Sequence, residues 1–276
     1  MSNKTVIKST SKFFNLELKE LFQYRDLFFL LAYRDYKVRY AQTFLGLVWA
    51  FIQPFATLLI FTIVFSKAAN VDTGDIPYPL FAICGMAGWT FFAFVLTNSG
   101  NSIVGAQQMI QKIYFPKLII PLAKAIVGFV DFGIALIFIV VICIYYQFIP
   151  SSNIIFLPLF IFITIFSALT VGIWLSALTI RFRDFQHVVP FFVQFGLYAT
   201  PIGYPAELIT SSLPKWVSII YFLNPMAGAV EGFRWSILGG SSPNEYCYIS
   251  FLMVLILFTL GLFYFKKVEN KMADIV

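Results

Sequence analysis

Along the chain, apolar positions gather into six long runs separated by short polar joints. They cover about 44–66, 79–97, 125–148, 154–180, 188–203 and 249–265. A helix that crosses a bilayer needs about 20 apolar residues in a row, and the fifth run, 188–203, is the shortest. The runs are continuously apolar, whereas the strands of a transmembrane barrel alternate apolar and polar over roughly 10 residues. The pattern therefore predicts an all-α polytopic membrane protein with six transmembrane helices.

The joints carry their own patterns. Residues 1–40 form a polar, charged segment in which Phe14, Leu18, Leu21, Phe28 and Leu31 fall at helical spacing. Lys12, Glu17, Lys19 and Glu20 lie largely elsewhere around that wheel, which predicts an amphipathic interface helix lying in the membrane surface. Residues 41–265 then make the six-span domain, and 266–276 a short tail. Gln53 and Pro54 fall within the first run, where a proline removes a backbone bond and bends a helix. Between Asn98 and Lys124 the chain is polar with little charge, then turns at Pro116 and Pro121. A helix that leaves the membrane, turns and re-enters fits this stretch. Between the fifth and sixth runs, 204–248 is too apolar for a solvated loop and too broken for a span. Pro214 and Asn224-Pro225 punctuate it. Short re-entrant helices fit best, with a small cap on the outer face as the alternative. Gly228-x-x-x-Gly232, in the same stretch, has the small-residue spacing that lets helices approach closely.

Charge orients the spans. Sixteen of the nineteen Lys and Arg residues sit in the N-terminal segment, the second and fourth connections and the tail. Only Lys67, Lys215 and Arg234 belong to the other side. Because cytoplasmic loops carry the excess of Lys and Arg, both termini are expected in the cytoplasm. Composition agrees: 60% of residues are hydrophobic, 12% are charged and 19% are aromatic. Mean hydropathy is +0.85. These values exclude a soluble globule and a disordered chain. The net charge of +6 follows from topology and does not call for nucleic acid, since no dense basic run interleaves with aromatics on a soluble surface. The charged first 26 residues lack the apolar core of a secretory signal, so the first span is expected to serve as the insertion signal.

Catalytic signatures are missing from the sequence. No Gly is followed by Lys, so the chain has no Walker A loop to cradle ATP phosphates. There is no His-Glu-x-x-His and no Gly-x-Ser-x-Gly, and Cys84, Cys143 and Cys247 share no metal-ligand spacing. They read as small apolar filler. The single His187 sits beside a basic loop and is read as solvated. An intramembrane enzyme would need a cluster of polar groups in its spans, and the only acid there is Asp131. An intramembrane ionisable group is a functional suspect by default. Lys124, seven residues earlier, falls near the same helix face, which suggests a structural anchor more than a proton relay.

Several short motifs carry a family resemblance. Arg34-Asp35-Tyr36-Lys37-Val38-Arg39-Tyr40 runs into Thr43-Phe44-Leu45-Gly46-Leu47-Val48-Trp49 and then Gln53-Pro54. This resembles the opening signature of the membrane subunits of ABC-type polysaccharide exporters. Phe115-Pro116-Lys117 before Pro121-Leu122 resembles their first cytoplasmic loop, and Arg181-Phe182-Arg183-Asp184 their second. Thr200-Pro201-Ile202-Gly203-Tyr204-Pro205 and Leu223-Asn224-Pro225-Met226 resemble their external segment. The resemblance implies a homodimer in a bacterial cytoplasmic membrane that binds two copies of a separate nucleotide-binding ATPase subunit. ATP and Mg would be held by that partner, with no cofactor in this chain. The cargo would be a lipid-linked glycan, O-antigen first, with capsule or teichoic acid as alternatives.

On this resemblance, Gln107, Gln111, Lys112, Phe115, Pro116, Lys117, Arg181, Arg183 and Asp184 would couple to the partner. Arg34, Lys37 and Arg39 would meet a pyrophosphate headgroup, or act only as positive-inside anchors. Trp89, Phe91, Phe92, Tyr198 and Tyr204 would offer ring faces to sugars in a channel between the two copies. Pro205, Leu213, Trp216 and Phe222 would gate the outer mouth. The rivals are an efflux permease for a drug or small lipid, a secondary transporter, and an intramembrane glycan-processing enzyme.

Overall fold

The computed structural model describes residues 18–41 and 46–269, and every regular element among them is helical. Phe14 of the expected interface row and the Thr43-Phe44-Leu45 motif lie outside the described residues, as does Lys271 of the tail. In chain order the helices are α1 (Leu18–Gln23), α2 (Arg25–Tyr36), α3 (Trp49–Phe61), α4 (Tyr78–Gly105), α5 (Gln107–Ile110) and α6 (Ile119–Tyr145). They continue with α7 (Leu157–Arg181), α8 (Phe185–Ala199), α9 (Glu207–Ser212), α10 (Lys215–Phe222), α11 (Pro225–Leu238) and α12 (Cys247–Glu269). Wider helical turns extend α2 through Ala41 and α3 through Ala68, and a 3-10 turn leads into α7.

Among the described residues, five helical stretches are long and apolar enough to cross a membrane: Trp49–Ala68, Tyr78–Gly105, Ile119–Tyr145, Ser152–Arg181 and Cys247–Glu269. They match five of the six apolar runs. The run at 188–203 forms α8, whose 15 residues span about 22 Å at the usual helical rise, against roughly 30 Å of hydrocarbon. Pro190 sits inside α8, near its start.

Helix α4 is the axis of the bundle. It packs against α3, α6, α7, α8 and α11, and most of its side chains are buried. Several threonine hydroxyls inside the bundle return to their own helix, while that of Ser99 on α4 donates to the Pro121 carbonyl of α6 at 2.9 Å. Thr164, Thr170 and Thr179 donate to carbonyls four residues back, which satisfies them without a partner helix. The indole of Trp174 donates to the Leu257 carbonyl at 2.7 Å and ties α7 to α12.

The bundle has two distinct ends. At one, here the basic end, α1 and α2, the connection from α5 to α6, and the ends of α7 and α12 share an apolar cluster around Leu31, Ile103, Phe115, Ile119, Ile180 and Phe265. At the other, the cap end, the stretch 204–248 forms three helices, α9 to α11. Helix α11 lies against α4, α7 and α12. Its small residues make this possible. A Cβ on Gly232 would lie 1.8 Å from a ring carbon of Phe160, and one on Gly228 3.0 Å from Cβ of Ser250. The Gly228/Gly232 spacing therefore marks a real close approach.

The N-terminal row is oriented differently from the expectation. Leu21, Phe28 and Leu31 face the bundle cluster, while Phe22, Phe29, Leu30 and Tyr33 point outward. Helix α2 is apolar on both sides because it packs on α6 and also presents a second apolar surface.

Candidate functional site

A cavity of about 610 Å³ opens between α3, α4, α6 and α8. One end is charged and polar, formed by Arg39, Tyr40, Thr97, Asn98 and Asp131. The remaining wall is mainly apolar and aromatic, with Trp49, Pro54, Trp89, Val193 and Leu197. A second cavity, about 220 Å³, lies towards the basic end and is lined by Arg34, Asp35, Asn101, Ser102 and Lys124 among others. Thr97 and Asn98 line both, so one polar strip of α4 joins them.

Each cavity holds a cation–carboxylate group made by α2 and α6. In the smaller one, Asp35 Oδ1 accepts from Arg34 Nη2 at 3.0 Å, and Oδ2 meets Lys124 Nζ at 2.6 Å. In the larger one, Arg39 Nη2 donates to Asp131 Oδ2 at 2.5 Å. The Tyr40 hydroxyl donates to Asp131 Oδ1 and accepts from Arg39 Nε at 3.1 Å. The guanidinium also sits 4.4 Å from the Phe94 ring centroid. Burial first, then the bond to Asp131, push the Tyr40 hydroxyl up to about 12, so it stays protonated as a donor.

The expected partnership of Lys124 with Asp131 is replaced by these two pairs. Seven residues along a helix is about 10.5 Å of rise, too far for an ion pair. Asp35 and Arg39, one turn apart on the packed N-terminal helix, reach both. Sequence spacing within α6 carries no information about that second helix.

The residues expected to couple to a partner all lie at the basic end. Gln111 and Lys112 are exposed, and so are Ile113 and Tyr114 in the same loop. Gln107 and Pro116 are half-buried, and Phe115 is buried as the anchor of the turn. The Lys117 backbone N–H donates to Glu269 Oε1 at 2.9 Å, and Glu269 also pairs with Lys266 at 3.1 Å. The end of α12 thereby holds the loop. Arg181, Arg183 and Asp184 are exposed, with the Arg181 guanidinium 5.1 Å from the Phe182 ring. His187 is exposed beside them.

The aromatic candidates divide. Phe91 is enclosed between Phe129 and Phe132, at 5.1 and 5.3 Å between centroids, inside the chain's own core. Phe92 is buried beside Trp89 at 5.3 Å. Trp89 lines the large cavity and presses on Gly196 of α8, where a Cβ would lie 2.4 Å from the ring. Tyr198 is exposed on an α8 face that also carries Phe191, Phe192 and Phe195. The Tyr204 hydroxyl donates to the Tyr198 carbonyl at 2.9 Å and meets the Tyr221 hydroxyl at 3.2 Å. At the cap, Leu213 and Trp216 are exposed, Pro205 is half-buried, and Phe222 is wholly buried in the core of the cap.

Arg234 was read from the sequence only as an outer-side cation. It is buried on α11, and its Nη2 donates to the carbonyls of Pro201 at 2.6 Å and Ile202 at 3.0 Å. Its guanidinium lies 3.6 Å from the Phe81 ring centroid. Gly85 leaves the room, since a Cβ there would be 2.7 Å from Nη2. Asn224 donates to Thr200 at 2.8 Å and Tyr78 to the Gly203 carbonyl at 2.9 Å. Four consecutive residues, 200–203, are thus pinned by side chains from α4, α11 and the residue that caps α11. A lone Arg within the small, apolar run Pro225–Leu238 was the available signal. Among the described residues no three His, Cys, Asp or Glu side chains gather as a metal site would require.

Comparison with known proteins bears on what this arrangement serves. A model of the family described as ABC-2 type transporter matches residues 26–238. The O-antigen export system permease protein RfbA of Klebsiella pneumoniae is 30% identical over 252 residues, covering 91% of this chain and 95% of that protein. RfbA of Myxococcus xanthus is 27% identical over 217 residues, covering 79% and 82%. The polysialic acid transport protein KpsM of Escherichia coli is 23% identical over 251 residues, covering 88% and 93%. The matched region includes α2, α4, α6 and α8, which carry most of both cavities. The chain belongs to the ABC-2 type transporter family, as a multi-pass membrane permease.

Proposed function

We propose that this chain is the channel-forming subunit of an ATP-driven exporter that moves a lipid-linked polysaccharide, O-antigen in the first instance, across the bacterial cytoplasmic membrane. The observation that carries the reading is the large cavity with one charged end and an aromatic, apolar wall. Such a cavity suits an amphipathic ligand, and the chain resembles permeases named for O-antigen export over most of its length. Arg39 would meet the anionic headgroup while the apolar wall accepts lipid or sugar faces. Arg34 and Lys37 would draw the headgroup to the mouth. Similarity to KpsM favours a capsule-type polysaccharide as the second reading.

In this reading the basic end faces the cytoplasm and the cap faces outward. Helix α8 supplies the sixth crossing. It begins just after α7 ends at the basic end, and it stops at the turn held by Tyr78 and Arg234 at the cap end. Its shortness implies a locally thinned bilayer or snorkelling flanks. Helices α9 and α10 dip in from outside as a gate, with Trp216 and Leu213 at the moving surface and Phe222 as the fixed anchor. Two copies form the channel, with Tyr198 and its α8 neighbours towards it. A separate ATPase subunit, two copies per dimer, binds ATP and Mg and presses on Gln111 to Lys117 and on Arg181 to Asp184. Family membership implies such a partner.

The test is purification of the tagged chain from its native membrane with whatever holds it. A stoichiometric ATPase whose hydrolysis rises with polyprenyl-pyrophosphate-linked glycan is expected. A chain that transports without any ATPase, driven by an ion gradient, overturns the reading.

A further inference from the structure

An arginine meant only to hold an anionic headgroup would bind it best if left unpaired. Arg39 is instead paired inside the cavity. Asp131 takes one of its N–H donors, Tyr40 takes another, and both oxygens of Asp131 are engaged. The pair is reachable, since the two side chains keep 37% and 18% of their surface exposed. Among the described residues the Nη1 group of Arg39 has no acceptor, so a ligand oxygen can begin to bind before the ion pair breaks. The Phe94 ring beneath the guanidinium holds its plane while its partners change. Tyr40 keeps its bond to Asp131 when Arg39 turns away, so the carboxylate is not left without a donor, the costly outcome for a partly buried charge.

We infer that Asp131 is a built-in counter-anion that a ligand phosphate displaces from Arg39 and that returns to drive the headgroup out. The inference rests on the headgroup reading of this cavity. A conducting site must bind well enough to admit its ligand and weakly enough to release it. A phosphate brings more oxygens and charge than a carboxylate and wins Arg39 while it is present. Asp131, tethered beside Arg39, competes at high effective concentration throughout. The smaller cavity is built the other way. There one carboxylate, Asp35, is shared by two cations, Arg34 and Lys124, which leaves a net positive charge to attract the anion. Attraction belongs to the mouth and release to the interior.

The experiment measures binding of a fluorescent polyprenyl pyrophosphate to the full chain in nanodiscs, with neutral polyprenol and phosphatidylglycerol as parallel probes. Asp131→Asn should bind the pyrophosphate about twofold to fivefold more tightly, the scale of removing one competing ion pair, and release it more slowly. Asp131→Glu keeps the competitor and should bind as the natural chain does. Arg39→Gln should weaken binding, and the double variant should match Arg39→Gln alone. Asp131→Ser repeats the test if the Asn variant folds poorly. Binding that is unchanged or weaker in both neutral variants makes the pair purely structural and overturns the inference. If Arg39→Gln binds normally, the headgroup reading itself fails, whatever Asp131 does. An equal gain for phosphatidylglycerol assigns the seat to bulk anionic lipid and overturns its role in release.

Discussion

Arg39 stands in the cavity inside the bundle and Arg234 at its cap end, and the two are held in opposite ways. Arg39 faces a cavity, is partly exposed, and is paired with a carboxylate that Tyr40 also holds. Arg234 is only 7% exposed and binds two backbone carbonyls and an aromatic face, with no carboxylate within 4 Å among the described residues. Its Nε has no hydrogen-bond partner in that set. A carbonyl in a pinned turn has nowhere to go, so Arg234 fixes the junction between α8 and the cap. A side-chain carboxylate in an open cavity can exchange. The same guanidinium chemistry serves permanence at the cap and turnover in the cavity, and the difference lies in whether the partner can do without it.

The sharpest way to break this comparison is to remove each arginine. Arg234→Ala leaves two buried carbonyls without a donor and opens a void beside Phe81. A loss of about 3–5 kcal/mol is expected, read as a large fall in the melting temperature of the solubilised protein. Arg234→Lys should not restore it, because an ammonium cannot keep the planar contact with the ring. Arg39→Ala should cost about 1 kcal/mol or less while abolishing most export. If Arg39→Ala melts as early as Arg234→Ala, the two residues are alike and the distinction fails.

A second contrast uses glycine at the two ends. Gly232→Ala forces a methyl into the Phe160 ring and should cost about 1–3 kcal/mol by overpacking. Gly105, at the basic end of α4, has nothing within 4 Å of an added Cβ. Gly105→Ala should be neutral or stabilising by up to about 1 kcal/mol, since alanine favours the helix. Thermal melting of both variants reads the difference directly.

The legible parts of this molecule were those written in local pattern. Five apolar runs became five long helices because continuous apolarity over a bilayer's thickness is a property of one segment. Gly228 and Gly232 announced a close approach because small residues four apart share a helix face. The opening and loop motifs pointed to the family that the comparisons then supplied. What stayed hidden depended on a second element. Asp131 looked paired with Lys124 until α2 brought Arg39 and Asp35 against α6. Phe91 and Phe222 lie in the cores of the bundle and of the cap, which aromatic content could not show because it does not say which side of a helix faces its neighbours. Arg234 was counted as an outer-side charge because the topology rule weighs Lys and Arg by side of the membrane and is blind to burial.

A smaller effect is expected at the basic end, where Glu269 accepts the Lys117 amide. Glu269→Gln keeps an acceptor but drops the charge, and the charge-assisted bond should weaken by about 1 kcal/mol. Amide exchange at Lys117 should quicken several-fold while the cap end is unaffected. An equal rise in exchange around residues 200–203 would mean that the two ends are one cooperative unit.

The smallest effect concerns Glu231, one turn before Arg234. Burial above all, then the charge of Glu207, raise its pKa above the usual carboxylate range. Arg234, the Cys247 thiol and the Asn244 backbone N–H oppose the shift without cancelling it. A carboxyl whose folded pKa is raised favours the folded state in its protonated form. Its contribution is therefore full below the ordinary glutamate range and is lost as pH rises through the raised value. Glu231→Gln is neutral at every pH and escapes that loss. The variant should melt slightly above the natural chain at neutral pH, and the gap should close as the pH approaches 4. A gap that widens on acidification would mean that Arg234 holds Glu231 ionised. The cap's arginine would then have an exchangeable carboxylate partner after all, which would bring it closer to Arg39 than its carbonyl contacts imply.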